Sequence, residues 1–362
     1  MISARHAVWV VVMAPACFHP SYDHPACGPD QQCPPGLHCN DQLICDPDGT
    51  GKVVVDDAGD AADDAQPGTP GDAAAGGDAA IDAAAPTGCY AHWFNGDLTI
   101  TPPALVLAGS FFLESRDPWI SSDSLRLYLS QSTSVNGSGH DIFLATRTTP
   151  SLAFGTPVRV VNLSAASDDI RPALTADERL IALASNRNGA GFEIFMATRP
   201  TALDAFPAPD DRHLLNINAD GVDHFDPFLS GDGLRLYFAP VTAPGQRILV
   251  ASRPTLDADF EPPVAVRGLA SDASSDADPA LSPDERVIVF TSNRAGGLGG
   301  TDLWYATRPD TQHDFSPPIL IPMVNGLDNE GDPMLTADGC LLFFASNRVR
   351  PTYQIFYAVI SL

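Results

Sequence analysis

Four aspartates stand directly before a proline at regular intervals, at Asp117, Asp226, Asp278 and Asp332. Arg171 takes the equivalent place before a fifth proline. Carboxylates that gather at one place can bind calcium, which takes oxygen ligands. Two carboxylates that flank a sugar can instead act as the catalytic pair of a glycoside hydrolase. The spacing therefore makes these aspartates the first candidates for a functional site.

Three arginines recur in the tripeptide S-N-R, at Arg187, Arg294 and Arg348, and His224 lies two residues before Asp226. Together with the aspartates, they would form a mixed-charge rim that binds a peptide or a small polar ligand. Residues at equivalent places in a repeat can also pair with each other or cap backbone groups, which is a structural role. The sequence leaves the rim, the structural role and the calcium site open.

The segment SNRAGGLGGTDLWYATRP, residues 292–309, nearly matches the calcium-binding nonapeptide G-G-x-G-x-D-x-U-x and has the glycines of a phosphate loop. A phosphate loop precedes a helix, whereas this one precedes the strand-like DLWYATR. Calcium nonapeptides follow one another in tandem, but these glycines return only after about fifty residues. The glycines therefore indicate a hairpin loop.

The composition excludes some functions. A net charge of −25 argues against nucleic-acid binding, which needs a basic surface. The chain contains no G-x-S-x-G, H-E-x-x-H or P-loop motif. We therefore expect no nucleic-acid partner and no cofactor, with calcium as the remaining option.

The chain contains five similar units, whose anchor prolines are 54, 55, 52 and 54 residues apart: Pro118, Pro172, Pro227, Pro279 and Pro333. Each unit has a short proline strand, a turn with aspartate, a strand such as RVIVFTS, a third strand such as DLWYATR, and a fourth after the motif F-x-x-P. Four strands in about fifty residues, repeated in tandem, are typical of a β-propeller. The pattern predicts an all-β fold of five four-stranded blades.

The last unit ends after its third strand, and TITPPALVLAG at residues 99–109 would supply the fourth. The N-terminal strand would then complete the C-terminal blade and leave no long free edge. A sixth, degenerate blade at Cys89–Leu113 is the alternative. Cys340 lies in the same closing blade, so a Cys89–Cys340 disulfide would lock the two ends of the ring together.

The segment DPALSPDERVIVFTSNRAGGLGGTDLWYATR resembles the repeats of the TolB-type, WD-repeat-like propeller family. The resemblance covers residues 99–362, although unit three lacks the S-N-R tripeptide. It implies a propeller, six-bladed in TolB itself, that is found in bacterial envelopes and often binds proteins. The separate N-terminal α/β domain of TolB has no counterpart in this chain.

Residues 1–17 read as a bacterial secretion signal, with Arg5 before an apolar run and small residues before Cys17. Because the signal ends on cysteine, it resembles a lipoprotein signal, in which Cys17 carries the lipid. Plain secretion is the alternative. We expect an envelope protein, in the outer membrane or periplasm, with a lipid anchor to the membrane.

Residues 18–45 form a small module with four evenly spaced cysteines. In an exported chain this spacing predicts two disulfides, and a zinc site is the rival interpretation. The cysteines are Cys27, Cys33, Cys39 and Cys45. Residues 46–88 are rich in Asp, Ala, Gly and Pro, which predicts a disordered linker, and residues 89–362 form the propeller.

Because the aspartates recur at equivalent repeat positions, the sequence favours a non-catalytic role. We expect a monomeric, envelope-anchored scaffold that binds a protein or peptide. The alternative is a glycan-active hydrolase or glycan-binding protein on the same propeller, which would use aspartates near the channel.

Overall fold

The computed structural model describes residues 86, 88–107, 113–134, 139–189, 191–218, 221–242, 245–269, 274–349 and 352–361, with the backbone of residues 38–39 and 45–46. The chain divides into two compact units, residues 1–78 and 79–362. In the first unit, β1 (His38–Cys39) pairs with β2 (Cys45–Asp46) in antiparallel register. Cys17, Cys27, Cys33 and nearly all of the linker lie outside the described residues, as do the side chains of Cys39 and Cys45.

The second unit begins with the helix α1 (Cys89–Asn95), and β3 (Ala104–Leu105) follows. Blade 1 contains β4 (Ser115–Ile120), β5 (Arg126–Ser132), β6 (His140–Thr146) and β7 (Val158–Arg159). After the 3₁₀ helix Val161–Leu163, blade 2 contains β8 (Asp169–Leu174), β9 (Leu180–Ser185) and β10 (Glu193–Thr198). A single bridge between Met196 and Asp210 stands in place of its fourth strand.

A short helix, α2 (Leu215–Asn218), leads into blade 3, with β11 (His224–Leu229), β12 (Arg235–Pro240), β13 (Leu249–Ser252) and β14 (Val264–Ala265). Blade 4 contains β15 (Asp276–Leu281), β16 (Val287–Ser292), β17 (Asp302–Thr307) and β18 (Ile319–Leu320). Blade 5 contains β19 (Glu330–Leu335), β20 (Leu341–Ser346), β21 (Gln354–Val359) and β3. The five first strands contact one another in a closed ring.

The ring closes as the sequence predicts. Leu105 pairs with Phe356 and Ala104 with Tyr357, so β3 is the fourth strand of blade 5. The alternative of a sixth blade is wrong, because Cys89–Asn95 is helical and β3 belongs to blade 5. The Cys89–Cys340 disulfide is present, with a Cα–Cα distance of 5.2 Å, and it joins α1 to the turn of that blade.

Each first strand bulges at the residue before its proline. The register with the second strand shifts there in four blades with aspartate and in the one with Arg171. Proline has no N–H for the ladder, which explains why the pairing breaks at this place. The residue before it has a positive φ of 51° to 62° in all five blades, an uncommon conformation for a residue other than glycine. Because bulges redirect side chains, these five side chains converge near the axis.

The other recurring motifs have structural roles. In the turn after each first strand, a hydroxyl donates to the aspartate two residues later, as from Ser282 to Asp284 at 2.6 Å. The arginine of each A-T-R or A-S-R echo stacks on the phenylalanine of F-x-x-P, as Arg308 does on Phe315 at 4.4 Å. These contacts repeat from blade to blade and explain why the sequence echoes exist.

The glycine-rich segment is the hairpin between β16 and β17, as predicted. The Asp302 carboxylate accepts hydrogen bonds from the backbone N–H groups of Leu298, at 3.0 Å, and Gly299, at 3.2 Å. A side chain at Gly299 would collide with the carbonyl oxygen of Asp328, so this loop packs closely on the segment that leads into blade 5.

Candidate functional site

The bulges bring five side chains together around a narrow axial cavity of about 50 Å³. We call this group the axial cluster. Its four carboxylates are largely buried, with side-chain exposures between 1% and 9%, and the arginine is 19% exposed. Its members are Asp117, Arg171, Asp226, Asp278 and Asp332. The structure therefore assembles the ring of aspartates that the sequence predicts.

Arg171 holds the centre of the axial cluster. Its Nη1 forms close ion pairs with Asp226 and Asp278, lies 3.2 Å from Asp332 and 3.8 Å from Asp117. A single guanidinium thus contacts all four carboxylates, which would otherwise repel one another. The residue that departs from the repeat is the one that allows the rest of the ring to exist.

The carboxylates also connect successive blades through the backbone. Asp117 accepts the N–H of Arg171 at 3.3 Å, Asp226 accepts the N–H of Asp278 at 3.1 Å, and Asp278 accepts the N–H of Asp332 at 3.2 Å. In each case the donor is the bulge residue of the next blade in the ring. These bonds give the aspartates a structural role that would account for their recurrence.

Sequence reasoning missed Arg116. Its Nε donates to Asp332 at 3.0 Å, and its guanidinium lies over the ring of Tyr353 at 4.1 Å. The equivalent positions in the other blades are uncharged: Ile170, Phe225, Ala277 and Gly331. A charge at a place where the other repeats have none was the signal that could have identified it.

Burial and the two arginines, Arg116 and Arg171, shift the pKa values of the carboxyl groups in different directions. Burial raises the pKa of Asp332 to about 7, although Arg116 opposes this shift. Burial also raises the pKa of Asp226 well above its usual range against the pull of Arg171. Burial alone would raise the pKa of Asp278 too, but Arg171 and Arg116 together hold it below the usual range. The axial cluster therefore contains neighbouring carboxyl groups whose pKa values are shifted in opposite directions.

The S-N-R arginines are bound within their own blades. Arg187, Arg294 and Arg348 pair with the acid that begins the first strand of the blade, at 2.5, 2.7 and 3.0 Å. Each also donates to a carbonyl in the preceding loop and to the serine of its own tripeptide. Their partners are Asp169, Asp276 and Glu330, two residues before the bulge, and not the axial carboxylates.

This pairing accounts for the pattern of S-N-R in the repeat. Acid and arginine are eighteen residues apart in blades 2, 4 and 5. At the same two positions, blade 1 has Ser115 and Thr133, and blade 3 has His224 and Thr242. Blades 1 and 3 lack both the acid and the arginine, as expected if each residue is needed only to pair with the other. His224 itself is 1% exposed and packs on Phe238 at 5.6 Å, so it fills the place of the missing acid.

Among the described residues, no group of three or more carboxylate, histidine or cysteine side chains is arranged to hold a metal ion. Calcium stays a prediction that a binding experiment has to decide.

No protein-family model matches the chain, and no curated protein sequence resembles it at a significant level. Solved structures do share its fold. One named a glycoside hydrolase aligns with a TM-score of 0.55 at 11% identity, over 75% of this chain and 95% of that chain. A thermostable family-43 glycoside hydrolase aligns with a TM-score of 0.50 at 14% identity, over 71% and 92%.

TolB from Acinetobacter baumannii also aligns, with a TM-score of 0.40 at 14% identity, over 68% of this chain and 54% of that chain. The structural neighbours thus include both glycoside hydrolases and TolB propellers. At these identities, the similarity establishes the propeller fold and nothing about the chemistry.

Proposed function

We propose that this chain is a glycan-active propeller that receives a sugar at the mouth of its axial channel. The observation that carries the proposal is the axial cluster, in which buried carboxyl groups with opposite pKa shifts adjoin one guanidinium. Carboxylates and guanidinium groups are good partners for sugar hydroxyls, since they accept and donate several hydrogen bonds in fixed directions.

The divided pKa values also fit glycoside chemistry. Glycoside hydrolases pair a protonated carboxyl, which donates to the leaving oxygen, with an ionised one that acts as base or nucleophile. When two carboxyl groups have different pKa values because their environments differ, the group with the higher pKa is assigned as the acid and the other as the base or nucleophile. Asp332, with a pKa of about 7, is the candidate acid, and Asp278, held ionised, is the candidate base or nucleophile.

The geometry limits how a sugar can bind. The axial cavity, at about 50 Å³, is far smaller than the usual ligand pockets of roughly 300–1,000 Å³. A sugar would therefore lie over the cluster, in contact with Arg171, and hydrolysis would require this side chain to leave the space between the two carboxyl groups. Glycan binding is the part of the proposal that the geometry supports best. Structural neighbours named glycoside hydrolases use the same fold.

The test measures binding of neutral oligosaccharides to the full-length chain by calorimetry and hydrolysis of p-nitrophenyl glycosides by absorbance. We expect Asp278→Asn and Asp332→Asn to reduce binding at least tenfold and to remove any hydrolysis. Asp284→Asn is the matched control, because Asp284 lies in the turn of blade 4, away from the axis. The proposal is wrong if no oligosaccharide binds, or if the axial variants bind as well as the control.

A protein-binding scaffold, the interpretation that the sequence favours, has less support from the site. The three arginines that would form its mixed-charge rim are bound inside their own blades. A pull-down from an envelope extract with the full-length chain tests it, and a partner that competes with oligosaccharides would link the two interpretations.

We also propose that the chain is exported and anchored through Cys17. The Cys89–Cys340 disulfide supports export, since such bonds persist in oxidising compartments. No helix among the described residues is long and apolar enough to cross a membrane. Detergent partitioning of Cys17→Ser tests the anchor: the variant should move to the aqueous phase, and unchanged partitioning would contradict lipidation.

A further inference from the structure

The interface between blades 1 and 2 contains four polar side chains that bind one another, and we call them an inter-blade lock. Arg126 forms a bidentate pair with Glu178, with Nη2–Oε1 at 2.6 Å. Arg199 donates through Nη2 to the hydroxyl of Tyr128 at 3.4 Å and lies 3.6 Å from Glu178. In this lock, Arg199 is the second arginine. It contacts a hydroxyl group of the preceding blade and a carboxylate of its own blade.

The interface between blades 3 and 4 repeats the lock with equivalent residues. Arg235 donates to Glu285 at 2.7 Å, and Arg308 donates to the Tyr237 hydroxyl at 3.3 Å. Arg308 also lies 3.9 Å from the carboxylate of Glu285. The same arrangement in two interfaces shows which partners this arginine position can take: a carboxylate and a hydroxyl oxygen.

The interface between blades 2 and 3 keeps the second arginine, Arg253, and loses its partners. Ala182 replaces the tyrosine, Gly233 replaces the glutamate, and Leu180 replaces the first arginine. Arg253 still stacks on Phe260, at 4.5 Å, and it is only 4% exposed.

Two nitrogens of Arg253 have carbonyl acceptors. Nε donates to Gly233 and Nη1 to Leu256, both at 2.9 Å. Nη2 is buried and has no acceptor among the described residues. Burial lowers the pKa of this guanidinium, which Asp257 only partly offsets. A buried donor without an acceptor lowers the stability of the folded chain, so an acceptor supplied by a ligand would be favourable.

Arg253 lines a groove of about 930 Å³ between blades 2 and 3, at the opposite end of the first strands from the axial cluster. The groove widens here because Pro207 stands where the other blades have an N–H donor for the end of the third strand: Gly155, Glu261 and Ser316. The exposed Arg179 also lines it. Both guanidinium groups therefore face one space of ligand size.

Four aspartates line the groove, and three of them have hydrogen-bond or ion-pair partners. The fourth, Asp257, lies near Arg253 and raises the pKa of that guanidinium. Asp177 and Asp232 accept hydrogen bonds within their turns, from Thr175 and Ser230. Asp210 pairs with Arg212 at 2.6 Å.

We propose that this groove binds a sugar acid of the uronate class, whose carboxylate and neighbouring hydroxyl occupy the places that glutamate and tyrosine hold in the two inter-blade locks. A uronate supplies both oxygen types in one residue, and charge-assisted hydrogen bonds to guanidinium groups are the strong ones. This site is separate from the axial cluster and does not depend on the function proposed for it.

The test uses calorimetry on the full-length chain at low ionic strength, with sodium glucuronate as ligand and glucose as its uncharged counterpart. We expect glucuronate to bind and glucose to bind at least tenfold more weakly. Arg253→Met should reduce glucuronate affinity at least tenfold. Arg147→Met is the control, since Arg147 has the same stacking on a phenylalanine, Phe154, at 4.3 Å, but lies outside this groove.

A second variant keeps the proposal testable if Arg253→Met fails to fold. Leu180→Arg with Gly233→Glu restores the missing carboxylate from within the chain, and glutamate is accommodated at positive φ in the two equivalent positions. This variant should stay folded and lose glucuronate binding, whereas Asp284→Asn, which lies outside both the groove and the axial cluster, should keep it. The proposal is overturned if glucuronate fails to bind the natural chain, or if it binds the refilled variant equally well.

Discussion

Arg171 decides the character of the axial cluster at the scale of single residues. Four carboxylates contact one nitrogen of its side chain, and Arg116 contributes the second positive charge. Removing one partner from a buried set of charges leaves the others uncompensated, which is more costly than never having placed them there. The ring is therefore stable only as a complete set.

The first prediction concerns this charge balance. Arg171→Met should lower the free energy of unfolding by about 3–5 kcal/mol, because it leaves buried carboxylates without their cation. Arg212→Met is the control, since Arg212 forms an exposed ion pair, 80% exposed, and such pairs contribute little. Urea denaturation of both variants measures the difference. Equal losses would show that the axial carboxylates do not need Arg171.

The second prediction concerns pH. The pKa of Asp332 is about 7 in the folded chain and near 3.8 when unfolded, so its contribution to stability is complete below about pH 4 and lost as pH rises through 7. Between those values, the folded chain should lose up to about 1.4 kcal/mol per pH unit from this group. Asp332→Asn should remove the part of the slope that this group contributes, whereas Asp226, whose pKa is also raised, keeps its own contribution.

Chemical denaturation at several pH values between 4 and 8 measures the slope of each protein. Asp278 does not interfere in this range, because its pKa is depressed and its contribution is lost only at lower pH. Parallel curves for the natural chain and Asp332→Asn would mean that Asp332 is ionised throughout.

The sequence located the axial aspartates but not their different environments. Equivalent places in a repeat suggest equivalent surroundings, and that argument favoured a purely structural ring. Arg171 and Arg116 each occur in one blade only, so they break the symmetry of the repeat. As a result, the pKa of Asp278 is lowered and the pKa of Asp332 is raised. The exceptions to the repeat, and not the repeat itself, contain the information about the site.

At the scale of secondary structure, short local patterns were sufficient for the strands. The turn aspartates and the alternating second strands predicted β5, β9, β12, β16 and β20, because hydrogen bonds and burial there are local properties. The helix α1 was not predicted, since seven residues without a side-chain N-cap have little helical tendency of their own. It is held by tertiary contacts, including Trp93 Nε1, which donates to the carbonyl of Gly339 at 3.1 Å.

The third prediction concerns the disulfide that anchors this helix. The double variant Cys89→Ser/Cys340→Ser should lose up to about 5 kcal/mol of stability in the chain-entropy model, because the bridge spans 251 residues. The loss should appear as a lower midpoint in thermal unfolding. Reductant should lower the midpoint of the natural chain to that of the variant. If the variant unfolds like the oxidised natural chain, the bridge adds no stability.

At the scale of the whole molecule, the number of blades follows from which strand the N-terminal strand of the propeller pairs with. Five recurring units suggested five blades, and the resemblance to a six-bladed family kept six open. Only the pairing of β3 with β21 settles the matter. It assigns the segment before β4 to blade 5 and leaves no strand for a sixth blade among the described residues of the second unit. The sequence predicted this pairing because the last unit lacks a fourth strand, but local patterns alone left the sixth blade open.

The fourth prediction concerns net charge, a property of the whole chain. The propeller, residues 89–362, contains 32 aspartates and glutamates and 18 arginines. Its net charge of −14 makes the compact state repel itself, and salt screens this repulsion over about 10 Å at 0.1 M. The buried inter-blade pairs, such as Arg126 with Glu178, which is 4% exposed, are screened much less. Raising sodium chloride from 10 to 150 mM should therefore raise the thermal midpoint, by about 2–4 °C for each kcal/mol gained.

Potassium chloride at the same concentrations should have the same effect, since screening does not depend on the identity of the monovalent cation. Calcium chloride at equal ionic strength distinguishes screening from specific binding, because only a bound ion would raise the midpoint further. A midpoint that falls with sodium chloride would mean that attractive pairs outweigh the general repulsion, and that the acidic surface does not limit the stability of this propeller.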